Sequence, residues 1–308
     1  MTGASIAVEG LHVAYGRTQA LAGIDVDVAP GSTLGVLGHN GAGKTTLIRV
    51  LTTLVRPNAG RVLVDGFDVV RHGDEVRRRI GATGQYAGLD DFLTGRENLE
   101  MLGRLAGLRH AARARASELI ERLGLADLAA RRVGEMSGGS RRRIDLAATL
   151  VASPSVLVLD EPTTGLDPTA RAALWSVVDE LNASGTTVVL TTQYLDEADR
   201  LADDIVVLAH GRVAARGAPA ELKRIVGDKV ITATIPTTQV DRLLWHPDTE
   251  RVLSSDQLRV SFTAGDDATA ADVVADLGRL GADLDDLTVT SPSLDDVFAH
   301  LTLTGARP

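Results

Sequence analysis

The segment Gly38-His39-Asn40-Gly41-Ala42-Gly43-Lys44-Thr45 limits most strongly what this chain can become. It follows a β-branched apolar run, Thr33–Leu37, and a helical pattern starts directly after it. The glycines let the backbone close around an anion with its N–H groups pointing inward. The start of the following helix adds the positive end of its dipole. In the G-x-x-x-x-G-K-[ST] spacing, Lys44 reaches the outer phosphates of a nucleotide and the Thr45 hydroxyl ligates Mg²⁺. The predicted phosphate-binding set is therefore Gly38, His39, Asn40, Gly41, Ala42, Gly43, Lys44, Thr45 and Thr46. A chance glycine turn is the plain alternative; strand, loop and helix in immediate succession weigh against it.

A second motif supplies the acidic half of such a site. Val156-Leu157-Val158-Leu159-Asp160-Glu161-Pro162 is an apolar strand that ends on two carboxylates. A carboxylate taken out of water needs a partner. Asp160 suits a holder of Mg²⁺, either directly or through the ion's water. Glu161, at the strand tip, suits a base that takes a proton from an attacking water. A solvated pair at a strand end is the bland reading, and the phosphate loop in the same chain disfavours it.

Around these motifs the pattern is α/β. Short β-branched runs recur at Ile6–Val8, Ile24–Val28, Thr33–Leu37, Arg61–Val64, Val156–Leu159, Thr187–Thr191 and Ile205–Leu208. Leu47, Ile48, Leu51, Leu54 and Val55 mark one helix between them. Leu174, Val178 and Leu181 mark another, with Asp167 as N-cap and Pro168 at its first position. Strands alternating with helices predict a mostly parallel sheet, the earliest strands forming an antiparallel edge. From Leu89 to Ala152 the pattern is nearly all helical, which predicts a helical subdomain inserted into the sheet core. Composition shifts at Gly227-Asp228 towards Asp, Thr and Val. Residues 1–227 thus read as the nucleotide-binding domain and 228–308 as an accessory domain. The latter reads as strand 229–235, helix 238–245, strands 250–254 and 257–263, helix 269–279, strand 284–290 and helix 293–302. That βαββαβ order is ferredoxin-like. It carries no phosphate motif, so nucleotide binding is expected to reside in 1–227.

Bulk properties exclude several classes. A net charge of −9 disfavours a dedicated nucleic-acid binder. The absence of cysteine excludes a disulfide framework or a cysteine metal site. Met1 to Gly10 has no basic-then-apolar leader pattern, and no apolar run approaches the ~20 residues of a membrane span. Membrane association is therefore expected to come through a partner.

Ser137-Gly138-Gly139-Ser140 precedes a helix read as Arg141 to Val151. Two glycines before a helix expose N–H groups that can hold an anion; an ordinary Ser137 N-cap is the alternative. Spacing leaves open whether this second surface meets the phosphate loop within one chain or between chains.

Met136-Ser137-Gly138-Gly139-Ser140 resembles the LSGGQ signature of ABC (ATP-binding cassette) ATPases, with Met for Leu and Ser for Gln. The other elements of that family follow in order. Tyr15 matches the aromatic that stacks on adenine, Gln85 the Q-loop glutamine, Gly165-Leu166-Asp167 the D-loop, and Thr191-Thr192-Gln193-Tyr194-Leu195-Asp196-Glu197-Ala198 the switch segment. The resemblance spans about residues 4–222. It implies a P-loop NTPase cassette with a mixed sheet core and an inserted helical subdomain, besides the small α+β ferredoxin-like C-terminal domain. It implies ATP and Mg²⁺ as ligands, with Thr45, Gln85 and Asp160 around the metal and Glu161, Lys44 and Gln193 in catalysis. It also implies a head-to-tail homodimer in which Ser137, Gly138 and Gly139 of one chain face the nucleotide held by Lys44 of the other. The segment from Gln85 to about Asn98 would pass motion to a membrane subunit.

Within the family the chain is most similar to the ATPases of antibiotic exporters of the daunorubicin-resistance type. Gln193 stands where most ABC ATPases have histidine, and Pro292-Ser293-Leu294-Asp295-Asp296-Val297-Phe298 is similar to that group's terminal motif. This implies a separate polytopic permease of the ABC-2 type and a place on the cytoplasmic face of the membrane. A DNA-repair ABC ATPase would need a long coiled coil between Lys44 and Ser137, and no sustained heptads occur there. A ribosome-binding ABC protein would need two cassettes and a basic surface. A lipid or glycan exporter and an importer ATPase are the nearer alternatives.

Overall fold

The computed structural model describes residues 5–83, 88–243, 245, 247, 249–253, 256–265 and 267–298. The chain divides into two compact units, Met1–Pro219 and Ala220–Pro308. The division lies ahead of the composition shift at Gly227.

The first unit opens with β1 (Ile6–Tyr15), β2 (Thr18–Val28), β3 (Thr33–Leu37), α1 (Lys44–Leu51), β4 (Ala59–Val64) and β5 (Phe67–Asp68). It continues with α2 (Gly73–Arg79), β6 (Ile80–Thr83), α3 (Gly95–Leu105), α4 (Ala112–Arg122), α5 (Ala126–Ala129) and α6 (Gly138–Thr149). Then come β7 (Val156–Asp160), α7 (Pro168–Ala183), β8 (Thr187–Thr192), α8 (Leu195–Leu201), β9 (Asp204–Ala209) and β10 (Arg212–Gly217). The short helix α9 (Pro219–Arg224) starts at the division.

Strands β2-β1-β4-β5 form one antiparallel sheet and β10-β9-β3-β8-β7-β6 a second one. The second is parallel except for β10. The early strands thus build a sheet of their own and are not the edge of the parallel one. The reason lies in α1, which touches β2 and β4 on one side and β7 on the other. Leu47, Ile48, Val50 and Leu51 are buried around that helix, and one apolar cluster joins them to Ile6, Val13, Val36, Val156 and Val158. The helix ends earlier than the periodicity suggests: Thr53 turns to φ 63, and Leu54 lies exposed beyond the turn.

Alternate residues of the central strands face opposite ways, as a strand's period of two requires. Val156, Val158 and Val189 point into the α1 cluster. Leu157, Leu159, Val188 and Leu190 point into a second cluster with Leu99, Leu119, Leu128, Ile144, Leu174 and Val178. Both faces of this sheet are therefore covered, which explains the unbroken apolar runs. The helical segment α3–α6 covers the second face, as its pattern predicts. Gly81 on β6 allows this packing, because a Cβ there would lie 2.6 Å from the Thr149 carbonyl at the end of α6. Asp167 caps α7 by accepting the Ala170 N–H at 2.9 Å, with Pro168 first in the helix.

The second unit holds β11 (Lys229–Pro236), β12 (Thr249–Val252), β13 (Gln257–Ala264), α10 (Asp267–Arg279) and β14 (Asp283–Thr290). Its sheet order is β12-β13-β11-β14, antiparallel throughout. Val273 and Leu277 of α10 share a core with Ile231, Val260 and Phe262. Where the sequence suggests a helix over 238–245, the chain makes a 3₁₀ stretch, Thr237–Arg242. None of its residues is buried, so little packing rewards a longer helix. The closing helix is described over 294–298; the remainder of the expected 293–302 lies outside the described residues. Among the described residues no helix is long and apolar enough to cross a membrane.

Candidate functional site

Parallel pairing decides which residues meet. Leu37 is in register with Thr192, and Asp160 with Thr191. Strands β3, β8 and β7 therefore end along one edge, each step ~4.8 Å from the next. The residues that follow them, Gly38, Gln193 and Glu161, emerge there side by side. Ligands of open α/β sheets bind outside the carboxyl ends of their strands, and the two strongest sequence motifs converge on that edge.

The glycine loop is tightly enclosed. Gly41 and Gly43 take φ 82 and 113, where a side chain is strained. A Cβ on Gly43 would lie 2.6 Å from Leu21 Cδ2 and 2.8 Å from the Ala20 carbonyl. Strand β2 is thereby pressed on the loop, and Tyr15 sits on the same hairpin, paired with Thr18 and exposed. Gly43 caps α1, so Lys44, Thr45 and Thr46 form its first turn. The Thr45 side is exposed, as are His39, Asn40 and Gly41, whereas Ala42 is buried. Lys44 is 6% exposed and bends back over the loop, donating to the Gly38 carbonyl at 2.5 Å and the His39 carbonyl at 3.3 Å. Burial pulls its ammonium below the usual lysine range, opposed by the charges of Glu161 and Asp160. The lysine and the two carboxylates thus share one electrostatic neighbourhood, as the motifs predict.

Asp160 is buried and accepts the Thr191 hydroxyl at 2.5 Å. Glu161 has φ 47, a left-handed backbone that a residue with a side chain seldom adopts. The Glu161 N–H donates to the Thr191 carbonyl at 3.0 Å and to its hydroxyl at 3.1 Å. One threonine therefore orients both carboxylate-bearing residues. Thr191 enters the sequence reading only as part of the switch match; its position opposite Asp160 depends on register, which has no local signal. Gln193 lies two residues on and is exposed at the shared edge. Gln85 lies outside the described residues.

The signature segment occupies a different face of the cleft. Helix α6 begins at Gly138, three residues before the expected Arg141, so both glycines form its first turn. Ser137 caps it by accepting the Ser140 N–H at 3.3 Å. The cap and the exposed glycine N–H groups therefore coexist. Gly138 lines a cleft of about 410 Å³ together with Arg142, Asp145, Asp160, Glu161 and Thr164. No hydrogen bond or ion pair joins Ser137, Gly138 or Gly139 to Lys44 among the described residues.

Behind the edge, Glu197 on α8 is fully buried. Trp175 Nε1 donates to its Oε1 at 3.3 Å, while Glu197 Oε2 and the buried Thr163 hydroxyl have no hydrogen-bond partner among the described residues. Burial raises the Glu197 carboxyl above the usual range, opposed by the Trp175 hydrogen bond and the charge of Arg171. Asp145 on α6 is also raised by burial, opposed by Arg142.

An anion-binding loop facing a carboxylate pair across a parallel sheet edge defines a nucleoside-triphosphate hydrolase site. Similarity to known proteins narrows the class. The ABC transporter family matches residues 21–164. The daunorubicin resistance ATP-binding protein DrrA3 of Streptomyces coeruleorubidus is 49% identical over 98% of this chain and 97% of its own length. The Nod factor export ATP-binding protein I of Rhizobium sp. is 38% identical over 98% of both. A dimeric ATP-binding cassette solved in a post-hydrolysis state with ADP and Pi superposes with a TM-score of 0.62 at 25% identity. It covers 69% of this chain and 98% of that one. The chain belongs to the ABC transporter family, as an ATP-binding cassette subunit. It binds and hydrolyses ATP.

Two expected outcomes follow from this geometry. Thr191→Val removes the hydroxyl that Asp160 accepts. A hydrogen bond to a charged group contributes ~1.5–3 kcal/mol, so turnover should fall by roughly 10–150-fold if that is expressed in the transition state. ATP binding, followed by titration with a fluorescent nucleotide, should survive. Glu197→Gln addresses the buried carboxyl. With its folded value raised, Glu197 contributes stability that is full below the ordinary value of 4.5 and is lost as pH rises through the folded value. Asp145 contributes with the same sign and is untouched. The thermal unfolding midpoint of Glu197→Gln should therefore fall less than the parent's as pH rises above the ordinary carboxyl value.

Proposed function

We propose that this chain powers export of an antibiotic or similar hydrophobic compound through a separate membrane permease, using ATP bound between two head-to-tail copies. The observation that supports export is similarity to a daunorubicin resistance ATP-binding protein over nearly the whole of both chains, second unit included. The observation that supports the site roles is the register that sets Gly38, Gln193 and Glu161 along one edge. The permease is of the ABC-2 type, and the chain lies on the cytoplasmic face through it.

Each role rests on a local property. Tyr15 is exposed on the hairpin beside the loop and stacks on adenine. The loop N–H groups and Lys44 hold the phosphates; to do so the lysine exchanges its two loop carbonyls for phosphate oxygens. The donor chemistry fits Mg²⁺. Among the described residues no group of three or more His, Cys, Asp or Glu is placed to hold a metal ion by itself. One buried carboxylate and an exposed hydroxyl suit a cation that keeps waters and takes phosphate oxygens. Thr45 and Asp160, with Gln85, would hold it, and the ion would supply charge neutralisation at the phosphates. Glu161 accepts the proton of the attacking water. Gln193 donates an amide hydrogen bond to the γ-phosphate but cannot take up a proton near neutral pH, which leaves Glu161 the sole base. Ser137, Gly138 and Gly139 present first-turn N–H groups to the nucleotide of the second copy. Phosphoryl transfer needs mainly this positioning and charge stabilisation.

A second reading, export of a lipid-linked or glycan compound, is favoured by the Nod factor export relative. An importer role has less support, since both of these relatives carry resistance or export names.

The test is steady-state ATPase with the permease present. Glu161→Gln should keep ATP binding, trap an ATP-bound dimer and lose ~10²–10⁴-fold in turnover. Gln193→Ala should lose less, roughly 10–150-fold, and Gln193→His should retain most activity. Parental turnover in Glu161→Gln would refute the base assignment. In cells, efflux of daunorubicin should depend on Lys44; efflux unchanged by Lys44→Ala would refute the drug-export reading.

A further inference from the structure

Arg142 lies one turn into α6, just past the Ser137-Gly138-Gly139 start, and its side chain is 16% exposed. Its guanidinium is a fork with several donors in fixed directions. Nε donates to the Pro162 carbonyl at 3.2 Å and Nη2 to the Asp160 carbonyl at 3.1 Å. Those two carbonyls flank Glu161 on either side. Nη2 also reaches the Thr83 hydroxyl at 3.4 Å, and Nη1 meets the Asp145 carboxylate at 3.3 Å.

The turn it grips is a strained one. Left-handed backbone at a residue such as Glu161 costs on the order of 1–3 kcal/mol and persists only where surrounding structure holds it. The holding comes from two elements. Strand β8 takes the Glu161 N–H through Thr191. Helix α6 takes the neighbouring carbonyls through Arg142. The carbonyls on either side of Glu161 are thus held by a residue 18 to 20 positions earlier in the chain.

A buried ion pair with Asp145 is the simpler explanation of Arg142. That pair uses Nη1 alone, at the i,i+3 spacing that any helix offers. Among the described residues, its other donors are aimed at the base-bearing turn and at β6. The acidic groups that face the guanidinium are Asp145 on α6, Asp160 on β7 and Glu197 on α8. Three elements thus converge on one cation.

We infer that Arg142 is a positioning residue for Glu161 and couples the start of the signature helix to the hydrolytic base of the same chain. The inference rests on the proposed base role of Glu161 and on the head-to-tail dimer. In such a dimer the start of α6 touches the nucleotide of the second copy, while Glu161 acts on the nucleotide of its own. A shift of α6 moves both carbonyl anchors of Glu161. Occupancy of one site is thereby read by the base of the other, and hydrolysis becomes cooperative in ATP.

Full-length Arg142→Gln, Arg142→Lys, Asp145→Asn and Glu161→Gln, each with the permease, test this in one ATPase titration. Misplacing a catalytic group by about 1 Å can cost ~10²-fold, so Arg142→Gln should lose roughly 10–100-fold in kcat. Its KM for ATP should stay near parental, and its Hill coefficient should fall towards one. Arg142→Lys, which can reach one carbonyl, should recover part of both; Asp145→Asn should keep most of its turnover. Parental kcat and Hill coefficient in Arg142→Gln, or a loss in Asp145→Asn equal to that in Arg142→Gln, would overturn the proposal in favour of a structural ion pair. Should Arg142→Gln fail to fold, Arg142→Lys decides alone, and parental values in it overturn the proposal. Parental turnover in Glu161→Gln would sink the base role itself, a different failure.

Discussion

Strand β8 lies between β3 and β7, and every other feature of the site depends on that pairing. Each of the three strands is buried on both faces, so polar groups can be carried only where the strands end. The register then leaves no freedom in which ends meet. The glycine loop leaves β3, Gln193 leaves β8 and Glu161 leaves β7 within two strand spacings. Slipping β8 by one residue would turn Thr191 away from Asp160 and exchange its two apolar faces. Core packing and site assembly are thus one constraint.

The edge concentrates charge in a region shielded from water. Lys44 faces Asp160 and Glu161 on one side. Arg142 faces Asp145, Asp160 and Glu197 on the other. Asp160 stands between the two cations, held by Thr191. Low dielectric makes each contact stronger and each unpaired group more costly. Such a cluster suits phosphate chemistry, where the work is to place charge in advance of its development in the transition state. Backbone strain at Glu161 belongs to the same placement: a carboxylate at the tip of a buried strand must turn sharply to reach the cleft.

The second unit has its own core, built from Ile231, Val260 and Phe262 against α10. None of the residues that meet at the sheet edge belongs to it. Similarity to the daunorubicin resistance relative runs through it, whereas the dimeric cassette with ADP and Pi covers only 69% of the chain. The unit therefore distinguishes this kind of subunit from a minimal cassette.

Much of this was legible in the residues themselves. The glycine loop, the acidic end of β7, the Asp167–Pro168 helix start and the helical stretch before Pro154 are local, because glycine conformation, capping and periodicity act over a few residues. The family likeness of Tyr15, Ser137–Gly139 and Gln193 could be read from order and spacing. Other features are long-range, and only the tertiary structure decided them. The first strands became a separate sheet because α1 is buried from both sides. Leu54 left its helix at a left-handed turn that no apolar period announces. The helix over 238–245 gave way to a 3₁₀ stretch none of whose residues is fully buried. Thr191 enters the sequence reading only as a strand end and part of the switch match, and Arg142 only as a residue inside a helix. Their partners, Asp160 and the carbonyls around Glu161, lie 18 to 31 residues away and are brought near only by register and helix packing.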